Sequence, residues 1–274
     1  MAAYCVLAGR LDDGRRFCEA AEARLGDLGY SPAPFGLTHT IIARVYLFLA
    51  DLDRGAELGR VDIDLSGDPT TYARSTLSVG LTLTGRYDES RALAVEVVAA
   101  AEQGANPCFL AYALLAYGMA WGEADPTAAM EALRRGLDIA RRSTNATWES
   151  YLQVILADLE VGHGHLNDAL DLLESAITNL HDAGDTATLR SPLASLAVCL
   201  DRMGQHEAAA TVVGVATTTL TLALVGALRA TTAHLRKVLG DQRFETLSAR
   251  GTALEPAELV SYALKQIEHL RTMV

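Results

Sequence analysis

The sequence contains none of the short motifs that mark common catalytic or nucleotide-binding sites. It has no glycine-rich phosphate loop, no Gly-x-Ser-x-Gly turn around a nucleophilic serine and no His-Glu-x-x-His zinc helix. Its carboxylates are scattered along the chain, so spacing alone assembles no nucleophile–base pair and no set of metal ligands. The absence of these motifs predicts that the protein is not an enzyme and holds neither a cofactor nor a metal.

Positive charge is in short supply. The chain has 23 Lys and Arg residues against 34 Asp and Glu residues, which gives a formal net charge of −11 at pH 7. Because nucleic acids are polyanions whose binding depends on basic side chains, this balance predicts that the chain does not bind nucleic acid directly.

Cysteine is scarce too, and no two cysteines are closely spaced. Each lies among apolar residues of a predicted helix, as reduced core thiols do, and this pattern favours a cytoplasmic location. The cysteines are Cys5, Cys18, Cys108 and Cys199. The closest approach to metal-ligand spacing is His163-Gly164-His165, but no cysteine or carboxylate cluster follows it. We interpret those two histidines as polar residues of a turn. His206 occupies the next turn and could cluster loosely with them, whereas His234 is expected to be isolated.

Charge is absent altogether from residues 208–228, a run of 21 residues that is long enough to cross a bilayer. The run contains five threonines and two glycines, and it lacks the aromatic belt that flanks membrane spans. We therefore expect no membrane span here. The run is predicted to be a buried repeat helix that continues into a helix packed on it or on another subunit.

Alanine and leucine dominate the chain, hydrophobic residues make up 50% of it and aromatic residues only 6%, which favours helices. A branched aliphatic residue followed by a small residue recurs five times. The pairs are Ile42-Ala43, Leu77-Ser78, Leu115-Ala116, Leu156-Ala157 and Leu196-Ala197. Only Ala, Ser or Gly allows two helices to cross at about 8 Å. A repeating pair of this kind therefore predicts an array of stacked helix pairs.

A turn position lies seven residues after each small residue, and a small residue returns five residues later. The turn positions are Ala50, Gly85, Glu123, Gly164 and Gly204. The returning small residues are Gly55, Ser90, Ala128, Ala169 and Ala209. Successive turns are 35, 38, 41 and 40 residues apart, somewhat more than the roughly 34 residues of a tetratricopeptide repeat.

These spacings predict an all-α fold: a right-handed superhelical solenoid of tetratricopeptide-like helix pairs with closing helices at its C-terminal end. The first helix of each pair (helix A) is expected at about 34–50, 70–84, 108–122, 147–162 and 187–203. The second (helix B) is expected at about 54–60, 88–104, 126–142, 166–182 and 205–216. The repeats then occupy 1–216, the first of them incomplete, and 217–274 form the closing helices. Because the pattern begins in mid-repeat, we expect a fragment of a longer protein or a partner that covers Tyr4–Leu11.

The A helices of such an array line its concave side, and the register of the small residue predicts which side chains face it. Six of these positions carry aromatic or charged side chains that suit a peptide or helix ligand in a groove of small residues. Five are the candidate binding residues Arg44, Tyr72, Tyr117, Tyr151 and Asp158, and the sixth is Asp201. The alternative is that the tyrosines only fill the interior of the superhelix.

The C-terminal residues carry a family resemblance. They read Val213-Gly214-Val215-Ala216, then Leu235–Phe244 with its Leu239-Gly240 pair, then Ala249–Leu264 with its Tyr262-Ala263-Leu264 end. They resemble the "LLGAAE", "LG..F...W..G" and "L..EAV.YAL" patterns that close the arrays of large actinobacterial regulators. Those regulators join a signal-transducing ATPase domain to a long tetratricopeptide-like array, with either an adenylate/guanylate cyclase domain or a LuxR-type helix-turn-helix. Two positions depart from the pattern, because Leu247 stands near the usual tryptophan and Leu259 replaces an alanine.

The resemblance implies a sensory or regulatory arm of a signalling or transcriptional regulator, since the ATPase and cyclase motifs of that family are absent from this chain. Our first hypothesis is a non-catalytic interaction module whose partner is a protein or peptide, including an upstream ATPase or cyclase region. The alternative is a small-molecule effector domain, in which Arg44 and Asp158 would converge in an enclosed pocket. A homodimer through the uncharged run, near Thr219, Leu222 and Leu224, is also expected.

Overall fold

A computed structural model describes residues 10–27, 38–49, 51–66, 71–104 and 106–273. Every regular element in these residues is a helix, and they contain no strand. The all-helical prediction is therefore confirmed. The chain divides into two compact units, Met1–Leu152 and Gln153–Val274, and each is described by itself. The predicted boundary after residue 216 separates repeats from closing helices and stays a prediction.

The first unit is built from consecutive helices. They are α1 (Leu11–Asp27), α2 (Thr38–Phe48), α3 (Leu52–Ser66), α4 (Thr71–Leu83), α5 (Tyr87–Gln103), α6 (Pro107–Trp121), α7 (Pro126–Arg142) and the first part of α8 (Ala146–His163). The predicted A and B helices match these bounds to within a few residues, except that α3 begins earlier and ends later than 54–60.

Helices of the first unit pack in neighbouring pairs. Helix α2 packs on α3, α4 on α5, and α6 on α7, and the second helices α3 and α5 also contact the first helices of the next pairs, α4 and α6. The first helices α2, α4 and α6 contact one another in sequence as well. This pattern of contacts is compatible with an α-solenoid, in which each repeat touches only its neighbours.

The second unit continues with the rest of α8 and seven more helices. They are α9 (Leu166–Asp182), α10 (Arg190–Arg202), α11 (His206–Ala216), α12 (Thr219–Leu224), α13 (Leu228–Leu239), α14 (Asp241–Thr252) and α15 (Pro256–Arg271). Helices α10 and α11 form a pair. The four helices that follow pack on α9, α10 and α11: α12 contacts α10, α13 contacts α10 and α11, α14 contacts α11, and α15 contacts α9 and α10.

The small residue of each recurring pair is fully buried. All five have 0% exposed surface: Ala43, Ser78, Ala116, Ala157 and Ala197. Where the small residue is Ser78, its hydroxyl lies 3.0 Å from that of Ser90 on the partner helix, and Ser90 Oγ donates to the Ser78 carbonyl at 2.8 Å. A buried hydroxyl needs a hydrogen-bond partner. Because Ser78 and Ser90 supply one to each other, serine can stand at this crossing in place of alanine without an unsatisfied hydroxyl.

Three of the predicted turns end helix A with a left-handed glycine. Gly85, Gly164 and Gly204 have φ of 77°, 82° and 75°, a conformation that side chains other than glycine rarely adopt. The residue after each glycine donates its N–H five residues back, as Arg86 does to the Leu81 carbonyl at 2.8 Å. These are Schellman C-caps, which satisfy the last carbonyls of the helix and reverse the chain.

The third turn differs from the others, and the prediction that Ala128 is the small residue at the helix crossing is wrong. Asp125 caps α7 by accepting from the Ala128 N–H at 3.1 Å, and Pro126 occupies the first turn, so α7 begins one residue later relative to the turn than the other B helices. The shift leaves Ala128 half-buried and places Ala129 at the crossing with 0% exposure.

The uncharged run 208–228 does not form one long helix. It ends α11 at Ala216, forms the short α12, and enters α13 at Leu228. Half of its apolar side chains are buried within the second unit, including Val212, Val213 and Val225. No helix among the described residues is both long and apolar enough to span a membrane. The predicted homodimer stays a prediction, although the burial of these side chains removes much of the exposed apolar surface that motivated it. The other proposed interface is Tyr4–Leu11, and its Tyr4–Gly9 part lies outside the described residues.

Helices α11 and α14 cross at backbone contact, through two glycines of the C-terminal motifs. A Cβ on Gly251 would lie 1.8 Å from the Thr211 carbonyl oxygen, and one on Gly214 would lie 2.1 Å from that of Ser248. Thr252 Oγ1 also donates to the Gly214 carbonyl at 3.0 Å. Any larger side chain at either glycine would force the two helices apart.

Candidate functional site

Arg44 lies at the centre of a group of aromatic rings contributed by three other A helices. It projects from α2, and its guanidinium carbon lies 5.5 Å from the ring centroid of Tyr72 on α4, 5.6 Å from that of Tyr112 on α6 and 5.2 Å from that of Trp148 on α8. These distances are those of cation–π contacts, in which the face of a ring attracts a cation.

The rings also contact one another. Tyr112 stacks on Trp148 with centroids 4.3 Å apart, and Tyr72 tilts against Tyr112 at 5.2 Å and against Phe109 at 5.8 Å. Tyr151 meets Trp148 edge-on at 5.7 Å. We refer to these residues together as the Arg44 cluster: Arg44, Tyr72, Phe109, Tyr112, Trp148 and Tyr151.

The cluster has a buried floor and a partly open rim. Tyr112 and Trp148 are 3% and 7% exposed, whereas Arg44, Tyr72 and Tyr151 are half-buried. Tyr112 Oη lies 2.9 Å from Thr76 Oγ1, so the buried phenol is satisfied. Burial raises the pKa of Tyr112 to about 12. The floor is therefore fixed, and the polar groups that face the opening belong to Arg44 and the half-buried tyrosines.

Among the described residues, no carboxylate neutralises the charge of Arg44. One of its guanidinium nitrogens, Nη1, donates to Tyr72 Oη, and no carboxylate oxygen of the described residues forms an ion pair with it. Burial of the guanidinium lowers the pKa of Arg44, but charge interactions with Tyr112 and Tyr72 outweigh this and hold the pKa above its usual value. Because a guanidinium has five N–H donors, several remain for a ligand that carries negative charge.

The structure brings together three of the five predicted binding residues. Arg44, Tyr72 and Tyr151 belong to the Arg44 cluster. Tyr117 lies further along α6 and stacks on Trp121, with ring centroids 5.7 Å apart. Trp121 in turn faces Arg91 of α5 at 5.9 Å. Tyr117 thus has aromatic neighbours of its own.

Asp158 lies in the second unit and has a different environment. Ser195 Oγ on α10 donates to Asp158 Oδ1 at 3.3 Å. Burial raises the pKa of Asp158 to about 7, although the Ser195 hydrogen bond and the charge of Arg202 act in the opposite direction. A carboxyl group with this pKa changes its charge near neutral pH.

Three members of the cluster were not among the predicted binding residues: Phe109, Tyr112 and Trp148. The predicted concave positions on α6 were assigned by register from Ala116, which selected Tyr117 and passed over Tyr112. One signal was available, because α4, α6 and α8 each carry at least one aromatic side chain in the first half of the helix. Side chains at similar heights on neighbouring stacked helices are well placed to meet.

The histidines group differently from the sequence-based expectation. His163 and His165 have ring centroids 6.5 Å apart, and His165 Nδ1 lies 2.6 Å from Glu160 Oε2. His234, expected to be isolated, instead lies 5.5 Å from His206 between ring centroids, and Nδ1 of each is within 3.0 Å of Asp201 Oδ1. Among the described residues, Asp201, His206 and His234 form a group with metal-ligand spacing. Cys18 and Cys199 are buried thiols as predicted, Cys108 is half-buried, and Cys5 lies outside the described residues.

No protein-family model matches the chain, and neither does any curated protein. The family resemblance therefore rests on the C-terminal motifs alone.

Proposed function

We propose that the chain is a non-catalytic recognition module of a bacterial signalling or transcriptional regulator, which binds a protein or peptide on the face formed by its A helices. In this proposal the helix pairs stack as a right-handed, tetratricopeptide-like superhelix, and that face is the concave one. The contacts of α2 with α4 and of α4 with α6 support this placement, because A helices adjoin one another along the concave side of such an array.

The observation that carries the proposal is the uncompensated charge of Arg44 on an aromatic platform. A half-buried guanidinium that pairs with no carboxylate of the described residues can form strong, charge-assisted hydrogen bonds to a ligand of opposite charge. Arginine and aromatic side chains are also the residues most enriched at the energetic centres of protein interfaces. The ligand that fits is a peptide segment that places an Asp, Glu or C-terminal carboxylate over the guanidinium.

The planar guanidinium suits a carboxylate in particular. Its parallel N–H groups bind the two carboxylate oxygens side by side, and such bidentate, charge-assisted bonds are stronger than bonds between neutral groups. Tyr72, bonded to Nη1, fixes the orientation of the guanidinium. The half-buried tyrosines would then pack on the apolar part of the bound segment.

The test is selection from a library of short random peptides on the immobilised chain. Wild type should recover peptides enriched in Asp and Glu, and Arg44→Gln should lose that enrichment. Arg91→Gln is the matched control, because Arg91 also faces an aromatic ring, Trp121, but lies on a B helix and already pairs with Asp88 at 2.5 Å. Recovery of the same acidic peptides by Arg44→Gln would contradict the proposal.

The alternative, a small-molecule effector domain, requires an enclosed pocket with converging polar groups. One groove of the second unit, between α9 and α15, is open and lined by charged side chains that include Lys265, Glu268 and Arg271. Arg271 is already paired with Asp171 and Glu174 at 2.5 and 2.6 Å. The Arg44 cluster is thus the better supported binding site. Competition of recovered peptides by small dicarboxylic acids at equal concentration would favour the effector function instead.

A further inference from the structure

The side chains of Asp201, His206 and His234 converge from three parts of the second unit. Asp201 is near the C-terminal end of α10, His206 is the first residue of α11, and His234 lies within α13. These residues are separated by up to 33 positions in the sequence, so only the packing of α13 on α10 and α11 brings them together. The peptide-binding proposal does not use any of them.

Their ligand atoms have the spacing of a metal site. Asp201 Oδ1 lies 3.0 Å from His206 Nδ1 and 2.9 Å from His234 Nδ1, and one ligand atom from each residue lies within 4.8 Å of the others. Two atoms that each bind a zinc ion at about 2.0–2.1 Å are roughly 3.0–3.4 Å apart. Small side-chain rotations would therefore place all three atoms around one ion.

The surroundings match what a bound ion needs. The Asp201 side chain is only 9% exposed, whereas the His206 and His234 side chains are 27% and 49% exposed and leave a route from solvent. Both imidazoles now direct the same ring atom, Nδ1, at one carboxylate. A purely hydrogen-bonded group would not bind added metal, whereas a metal site would bind it.

We propose that Asp201, His206 and His234 bind one divalent transition-metal ion of the zinc class. Two imidazole nitrogens and one carboxylate oxygen are the donors that such ions prefer, whereas Ca²⁺ and Mg²⁺ require mostly oxygen ligands. Three protein ligands leave at least one coordination position for water or for a side chain of a partner.

The ion would fix α13 against the last helix pair. Helix α13 is otherwise held by apolar contacts of its buried Leu228 and Leu235. A metal bond to His234 would add a polar link to the turn between α10 and α11, so metal binding should stabilise the second unit as zinc does in other small sites.

The test uses the full chain after treatment with a chelator. Titration calorimetry with ZnCl₂ should show one ion bound per chain, and Co²⁺ should give visible absorption bands typical of nitrogen and oxygen ligands. His234→Ala and Asp201→Asn should abolish both signals. Circular dichroism of His234→Ala, whose side chain is half-exposed, should show unchanged helix content.

Two controls make the result decisive. His163→Ala breaks up the other close pair of histidines, His163 and His165, and His269→Ala removes an exposed histidine of α15. Each variant should retain metal binding. No heat of binding and no cobalt spectrum with wild type would overturn the proposal. So would binding that persists in His234→Ala and Asp201→Asn, or that is lost in His163→Ala.

Discussion

At the scale of single residues, the clearest departure from an ordinary helical-repeat core is Arg44. A leucine at position 44 would also pack well among the aromatic rings, so packing alone does not explain a guanidinium there. It keeps its charge in contact with Tyr72, Tyr112 and Trp148, and each such contact contributes about 0.5–2 kcal/mol. The rings thus stabilise a cation while leaving its N–H groups available to an incoming anion.

Asp158 provides a residue-scale prediction about pH. Its folded-state pKa of about 7 lies above the ordinary 3.8, so between these values the folded state holds a proton that the unfolded state has lost. The free energy of unfolding therefore falls as pH rises through this window, because the carboxyl group ionises in the unfolded chain while the buried one stays protonated.

We expect Asp158→Asn to raise the melting temperature at about pH 8, and the gain to shrink as the pH falls and vanish below about pH 4. The amide keeps an oxygen that can accept from Ser195. Thermal melts across this range check the prediction, with the exposed Asp168→Asn as a control for net charge. A gain that is equal at about pH 4 and about pH 8 would show that burial does not raise the Asp158 pKa.

At the scale of elements, the small residue at each A–B crossing decides how closely two helices approach. Ala157 and Ala197 have 0% exposure, and a leucine at either should cost roughly 1–3 kcal/mol of unfolding free energy by overpacking. Chemical denaturation measures this cost. Wild-type stability in both variants would mean that the register of the repeats is wrong.

The third helix pair gives a sharper version of this test. We expect Ala129→Leu to destabilise the protein by roughly 1–3 kcal/mol and Ala128→Leu to have a much smaller effect, because Ala129 is at the crossing and Ala128 is half-buried. The two variants add the same side chain one residue apart on α7. If Ala128→Leu is the more damaging, the turn before α7 is not one residue longer than the others.

The crossing of α11 and α14 depends on glycine at both contact points. Gly251→Ala should destabilise the protein by roughly 1–3 kcal/mol, because its Cβ would lie 1.8 Å from a backbone oxygen that cannot rotate away. Gly226→Ala is the matched control, since nothing lies within 4 Å of a Cβ there. Equal stability of the two variants in urea would argue against the close crossing.

At the scale of the whole molecule, the sequence predicted the helices well and the members of the Arg44 cluster only in part. The helices follow from local signals: small residues at crossings, glycines at turns and the Asp125-Pro126 start of α7. The one-residue error at Ala128 arose because Glu123 was assigned by counting, in a turn without a left-handed glycine.

The site is harder to predict because it forms between helices. Arg44 and Tyr112 are 68 residues apart, and their contact depends on how far each A helix is rotated about its axis. A small error in the assumed rotation of α6 predicts that Tyr117, rather than Tyr112, faces Arg44. The same reasoning explains why His234 looked isolated, since nothing in its local sequence indicates that α13 folds back on Asp201 and His206.

The most direct test of the central claim is the fluorescence of Trp148. The chain has two tryptophans, so Trp121→Phe leaves Trp148, on the floor of the Arg44 cluster, as the single reporter. We predict that an acidic peptide recovered from the library changes its emission saturably, and that Arg44→Gln in the same background weakens binding by about tenfold or more, as the loss of a charged hydrogen bond requires. The same peptide with Gln and Asn in place of its acids should bind as weakly. Equal affinity of wild type and Arg44→Gln, or of the acidic and amide peptides, would contradict recognition of a carboxylate by Arg44.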